Sequence, residues 1–126
     1  MNPAVYDAGA LVAADRNARS IWAEHRVRLE AGVIPCVPTP VLAQVSRSGR
    51  QAQLRRFLRG CDIVAFREAD AHATGRLLAR SMTSDVVDAE VVVLAADRAA
   101  EIVTADRGEI AHLLVAARVS LPIVDT

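Results

Sequence analysis

Short apolar runs alternate with amphipathic stretches along this whole chain, and that alternation limits its fold more than any other feature. Ala4-Val5-Tyr6, Val33 to Pro38, Cys61 to Phe66, Ile102-Val103-Thr104 and Leu121 to Val124 read as short strands. Helical patterns lie between them, over Gly9 to Asp15, Ala18 to Ala31, Thr39 to Val45, Gln51 to Arg59, Glu68 to Arg80, Asp85 to Ala99 and Arg107 to Ala117. In the second of these, Ala18, Ile21, Trp22, His25 and Leu29 recur at helical spacing, and Gly32 supplies a stop. Thr39-Pro40 gives the third an N-cap with proline at its first position. Strands this apolar need cover on both faces, so the pattern predicts an α/β fold with helices on either side of a mostly parallel sheet of four to five short strands.

At 126 residues and 52% hydrophobic composition, one domain spanning 1–126 is expected, with a real core. No linker, repeat or low-complexity stretch interrupts it. No apolar run approaches the roughly 20 residues of a transmembrane helix, and Met1-Asn2-Pro3 opens no signal-peptide pattern. Cys36 and Cys61 are isolated, which fits free thiols in a reducing compartment and an expected cytoplasmic location. Formal net charge is zero, and all fifteen basic residues are arginine. The absence of lysine excludes Schiff-base chemistry and any phosphotransfer site built around a strand-end lysine. Receiver-type and haloacid-dehalogenase-type folds, which share the acidic chemistry, are disfavoured on that ground.

Five carboxylates stand beside apolar runs. Asp7 follows β-like Ala4-Val5-Tyr6, Asp85 and Asp88 open a helix, and Asp106 follows Ile102-Val103-Thr104 with Glu109 just beyond. Each has an ordinary reading: Asp106 with Glu109, and Asp85 with Asp88, fit helix caps, and Asp7 fits a turn. Jointly they point to more. Two anions about 4 Å apart repel by roughly 4 kcal/mol at an effective dielectric of 20. A fold that gathers several at one end of a sheet needs an offsetting cation, and Mg²⁺ or Mn²⁺ suits all-oxygen ligands. His25, His72 and His112 lie in separate helices without metal-ligand spacing and read as packing or surface residues.

Four segments resemble the motifs of PIN-domain ribonucleases in order and approximate spacing: Val5 to Leu11, Thr39 to Val45, Ser84 to Ala89, and Ile102 to Asp106. The resemblance covers nearly the whole chain and implies a three-layer α/β/α PIN-like fold. It further implies a toxin of the VapC kind, restrained by a cognate antitoxin and commonly homodimeric. In that reading Asp7, Asp88 and Asp106 hold Mg²⁺ or Mn²⁺, Asp85 is their acidic neighbour, and Thr104 orients Asp106 or a water. One departure stands out: the second motif usually carries Glu, and this chain has Gln44. An amide can coordinate through its oxygen but cannot act as a base.

The implied reaction is hydrolysis of RNA phosphodiesters, structured RNA such as tRNA being the family-level substrate, with 5′-phosphate and 3′-hydroxyl products. Arg47, Arg50, Arg55, Arg56 and Arg59 form the densest basic stretch; they read either as a phosphate-binding rim or as a solvated face that meets an acidic partner. With only Tyr6, Trp22, Phe57 and Phe66 as aromatics, extensive base stacking is not expected. Trp22 fits a core position or a partner-binding anchor. Gln44 keeps a second function open, a degenerate PIN domain that binds RNA or antitoxin without cutting.

Overall fold

The computed structural model describes residues 1–126. Its five strands are β1 (Ala4–Tyr6), β2 (Cys36–Pro38), β3 (Asp62–Val64), β4 (Glu101–Thr104) and β5 (Ile123–Asp125). They form one sheet in the order β3-β2-β1-β4-β5, with every neighbouring pair parallel. The helices are α1 (Ala8–Asp15), α2 (Arg19–Glu30), α3 (Thr39–Val45), α4 (Ala52–Leu58), α5 (Glu68–Ser81), α6 (Val86–Arg98) and α7 (Arg107–Ala117). The expected three-layer α/β/α architecture is what the chain adopts.

From β1 the chain moves outward to β2 and β3, then returns past β1 to β4 and β5. Right-handed crossovers place the two excursions on opposite faces. Accordingly α1 packs against α2, α3 and α4, while α5, α6 and α7 pack against one another. β1 and β4 are neighbours from which the chain departs in opposite directions. Such a switch point opens a crevice beyond the carboxyl ends of its strands.

Strand ends differ from expectation where backbone groups are spent elsewhere. Val33 N–H bonds the Arg28 carbonyl at 2.9 Å and finishes the α2 turn, so β2 starts at Cys36 instead. Pro122 has no N–H and only leads into β5; its carbonyl accepts from Ile102 at 2.9 Å. Gly32 sits at φ +80, the left-handed conformation expected of it just past α2.

The largest correction concerns α2. Its buried residues are Ile21, His25 and Arg28, while Leu29 is 39% exposed. An arginine occupies the inner face because acceptors meet it there. Its Nη1 donates to the Tyr6 hydroxyl at 3.4 Å and its Nη2 to Glu101 at 3.3 Å. His25 Nδ1 lies 2.9 Å from the same hydroxyl, and its ring stacks on Phe57 with centroids 3.9 Å apart. Trp22 is half-buried at the edge of this cluster; its Nε1 donates to the Ala14 carbonyl, and Arg56 lies over its ring at 4.6 Å. The remaining core is aliphatic, with Leu11, Val41, Leu77, Val91, Ile102, Ile110 and Leu113 fully buried.

Both cysteines are free, and burial pushes the Cys61 thiol up to about 12. No helix is long and apolar enough to cross a membrane. His72 is exposed and His112 bonds the Ser81 carbonyl at 2.9 Å, so the histidines keep the separate roles read from sequence.

Candidate metal centre

The carboxyl ends of β1 and β4 place Asp7 and Thr104 side by side. Tyr6 and Val103 are register partners, and Asp7 N–H bonds the Val103 carbonyl at 3.1 Å. Asp7 is 4% exposed. Its Oδ1 accepts from Ala10 N–H at 2.8 Å, which caps α1, and its Oδ2 accepts from Ala105 N–H at 3.3 Å. Burial raises its pKa; the Thr104 hydroxyl and the backbone amides of Ala10, Ala105 and Gly9 pull it back. Thr104 is fully buried, and its Oγ1 accepts from Asp106 N–H at 2.8 Å. One hydroxyl thus ties the side chain of Asp7 to the backbone of Asp106.

Gly9 makes this closeness possible. A Cβ on Gly9 would lie 2.3 Å from the Ala105 Cβ. The first turn of α1 therefore rests directly on the end of β4. The sequence carried a signal for this in the small residues of Asp7-Ala8-Gly9 and Ala105, but a signal without an address.

Two more helices begin at the same rim. Asp85 caps α6 by accepting from Asp88 N–H at 3.0 Å, and Asp106 caps α7 by accepting from Glu109 N–H at 3.2 Å. The capping roles read from sequence are real. They do not exhaust the carboxylates, since each oxygen has further acceptor capacity. Asp88 is half-buried and its pKa is pushed up to about 6, first by burial and then by the charges of Asp85, Asp7, Glu109 and Asp106. Every charged group acting on it is an acid. Three distant segments, around residues 7, 85–88 and 106–109, therefore share one negative field.

No three His, Cys, Asp or Glu side chains are grouped closely enough to hold a metal ion. The rim is a shared field and not a closed cage. The donors still fit a hard divalent cation: they are anionic oxygens, and a positive ion among them would relieve the repulsion felt at Asp88. Gln44 is exposed on α3 and makes no hydrogen bond to any of these acids.

The basic stretch after α3 is divided by the fold. Arg47, Arg50, Arg55, Arg56 and Arg59 are all exposed. Arg47 Nη1 donates to the carbonyls of Ala43 and Ser46, and Arg55 Nη1 to that of Gly49. Arg56 turns to Trp22, and Arg59 lines a separate hollow with Cys36 and Cys61.

One acid escaped the sequence reading. Glu90 is 2% exposed inside the α5–α6 contact, accepts from the Thr74 hydroxyl at 2.8 Å, and is pushed up to about 7 chiefly by burial. Three residues after Val87 and four before Leu94, it lies on the apolar face of α6 by helical spacing, and only its charge kept it out of the apolar pattern.

No protein-family model matches the sequence, and no curated protein matches it. Solved structures do match its fold. VapBC2 from Rickettsia felis, crystallised bound to a DNA fragment from their promoter, superposes with a TM-score of 0.72 at 19% identity, covering 98% of this chain and 98% of that one. PAE2754 from Pyrobaculum aerophilum gives 0.65 at 17% identity, covering 98% of this chain and 83% of the other. The class defined by strand order and layers is the PIN-like α/β/α fold. Within it, the VapBC2 chain matches this one nearly end to end.

Proposed function

We propose that the protein is a Mg²⁺- or Mn²⁺-dependent endoribonuclease of the PIN type, acting as the toxin of a toxin–antitoxin pair. The observation that carries the reading is the acidic surroundings of Asp88, whose pKa is pushed up to about 6 first by burial and then by four carboxylates from three chain segments. A purely structural fold has no reason to gather like charges at its switch-point crevice. Asp7, Asp88 and Asp106 would hold the cation, with Asp85 beside them. When bound, such an ion lowers the pKa of a water and polarises a phosphodiester. The chain's own part is positional: Thr104 and the amides of Ala10 and Ala105 hold the Asp7 carboxyl in place, and Thr104 also binds the backbone of Asp106. Structured RNA such as tRNA is the substrate class we favour.

An antitoxin partner accords with the resemblance to VapBC2. A cavity of about 750 Å³ runs along α2, with Trp22, Ala23 and Leu29 as its apolar part and Arg19, Arg26 and Arg56 around them. An antitoxin helix with apolar anchors and acidic flanks suits that surface. A homodimer is part of the same reading.

The second reading is a degenerate domain that binds without cutting. The exposed, unengaged Gln44 and the open arrangement of the acids favour it. Calorimetric titration of antitoxin-free protein with Mn²⁺, paired with an RNA cleavage assay, separates the two. Binding and cleavage that are both lost in Asp7→Asn support the enzyme. Protein that neither binds Mg²⁺ or Mn²⁺ nor cuts RNA is the binding module.

A further inference from the structure

An acidic rim repels the polyanion it would cut. No arginine forms an ion pair with Asp7 or Asp88, and the charges that shift Asp88 are those of Asp85, Asp7, Glu109 and Asp106. In the 47–56 stretch, Arg47 and Arg55 are engaged with their own loop and Arg56 with Trp22, while the exposed Arg50 side chain makes no hydrogen bond. The residue after Asp106, however, is Arg107, the first residue of α7. Its side chain reaches across the carboxyl end of β5. Nε donates to both carboxylate oxygens of Asp125, at 3.0 and 3.2 Å, and Nη2 donates to the Ile123 carbonyl at 2.8 Å.

That places a guanidinium next to the rim on a defined lattice. Asp125 is the register partner of Thr104, one strand spacing away, about 4.8 Å. The carbonyl of Thr104 further accepts from Thr126 N–H at 3.0 Å. Arg107 is 53% exposed and Asp125 64%, and Nη1 makes no hydrogen bond. An ion pair so exposed holds weakly, so another anion can share or displace it at little cost. A planar fork held by a carboxylate is oriented to take a phosphate in the same geometry.

We propose that Arg107 contacts a backbone phosphate of the RNA beside the acidic rim, with Asp125 holding the guanidinium in place until RNA arrives. The proposal rests on the nuclease reading for its substrate class but is tested by binding. The probe is labelled bulk tRNA with the full-length chain in Ca²⁺, read by anisotropy over a range of salt, alongside cleavage in Mn²⁺. Arg107→Ala is expected to raise Kd about tenfold and to reduce the slope of log Kd against log salt by about 1, while Arg107→Lys keeps the slope. Asp125→Asn removes the same ion pair but leaves the cation, and is expected to bind at least as tightly as the unaltered chain. Should Arg107→Ala keep the original Kd and slope, or should Asp125→Asn reproduce its loss, Arg107 is only a tie for β5. Unaltered protein that binds tRNA without cutting it ends the nuclease reading and leaves Arg107 to be judged by Kd. Protein that does not bind RNA at all ends both.

Discussion

Tyr6 and Asp7 are consecutive residues that face two contrasting polar regions. Beneath the sheet, Tyr6 meets His25 and Arg28, and Arg28 is matched by Glu101 at 3.3 Å and Glu24 at 3.8 Å. At the strand end, Asp7 meets Thr104, and its charged neighbours are more acids. The first region pairs opposite charges, although Arg28 Nε and Glu24 Oε2 are left without hydrogen bonds. The second gathers like charges and depends on something added. Opposite charges in a core are a packing solution; like charges in a crevice are a standing demand for a cation, and that is where function is to be sought.

Substitutions can break this contrast. The largest expected effect is on the acidic side: Asp88→Asn should lower Mn²⁺-dependent RNA cleavage by about 100-fold or more, as loss of a ligand does. The same change should raise the melting temperature of metal-free protein, because it removes a repelled charge. A fall in stability with cleavage intact would reverse the assignment. On the paired side, Arg28→Met should do the opposite. Removing one member of a buried pair costs about 3–5 kcal/mol, read from the urea midpoint, and Mn²⁺ affinity should not change.

Glu90 is a sharper case, since it is buried without a cationic partner. Its folded pKa of about 7 lies above the ordinary 4.5, so the folded chain holds its proton more tightly than the unfolded one. Its contribution is therefore full below about pH 4.5 and is lost as pH rises toward 7, by up to about 3 kcal/mol. Denaturation curves at pH 5 and pH 8 should show that loss in the unaltered chain and a smaller one in Glu90→Gln, which keeps the Thr74 bond. The smallest effect belongs to Gly9→Ala. The added methyl meets Ala105 and should cost about 1–3 kcal/mol. Pairing it with Ala105→Gly should recover both stability and cleavage, whereas no recovery would mean the contact is not what positions Asp7.

Much of the fold was legible because its signals are local. Helix α7 runs over the expected residues 107–117, and the parallel sheet follows from strands too apolar to face water. What local pattern missed were contacts made by exception. Arg28 lies on the buried face of α2 because Tyr6 and Glu101, remote in sequence, accept from it. Glu90 is buried because Thr74 of another helix offers a hydroxyl. The acids of the site were readable as residues, and their caps were readable as caps. Their sharing of one field was only inferable, from their places at strand ends and helix starts and from a resemblance.

By itself, then, the sequence determined the periodicities, the three layers and the chemical character of the donors, since side-chain spacing and charge are properties of neighbouring residues. Only the tertiary structure decided that Asp7 would bond the amide of Ala105 and that α1, α6 and α7 would begin at one rim. Those outcomes depend on where β1 and β4 meet, and on a glycine small enough to let a helix rest there. Distances between remote segments are set by packing, which no window of residues contains.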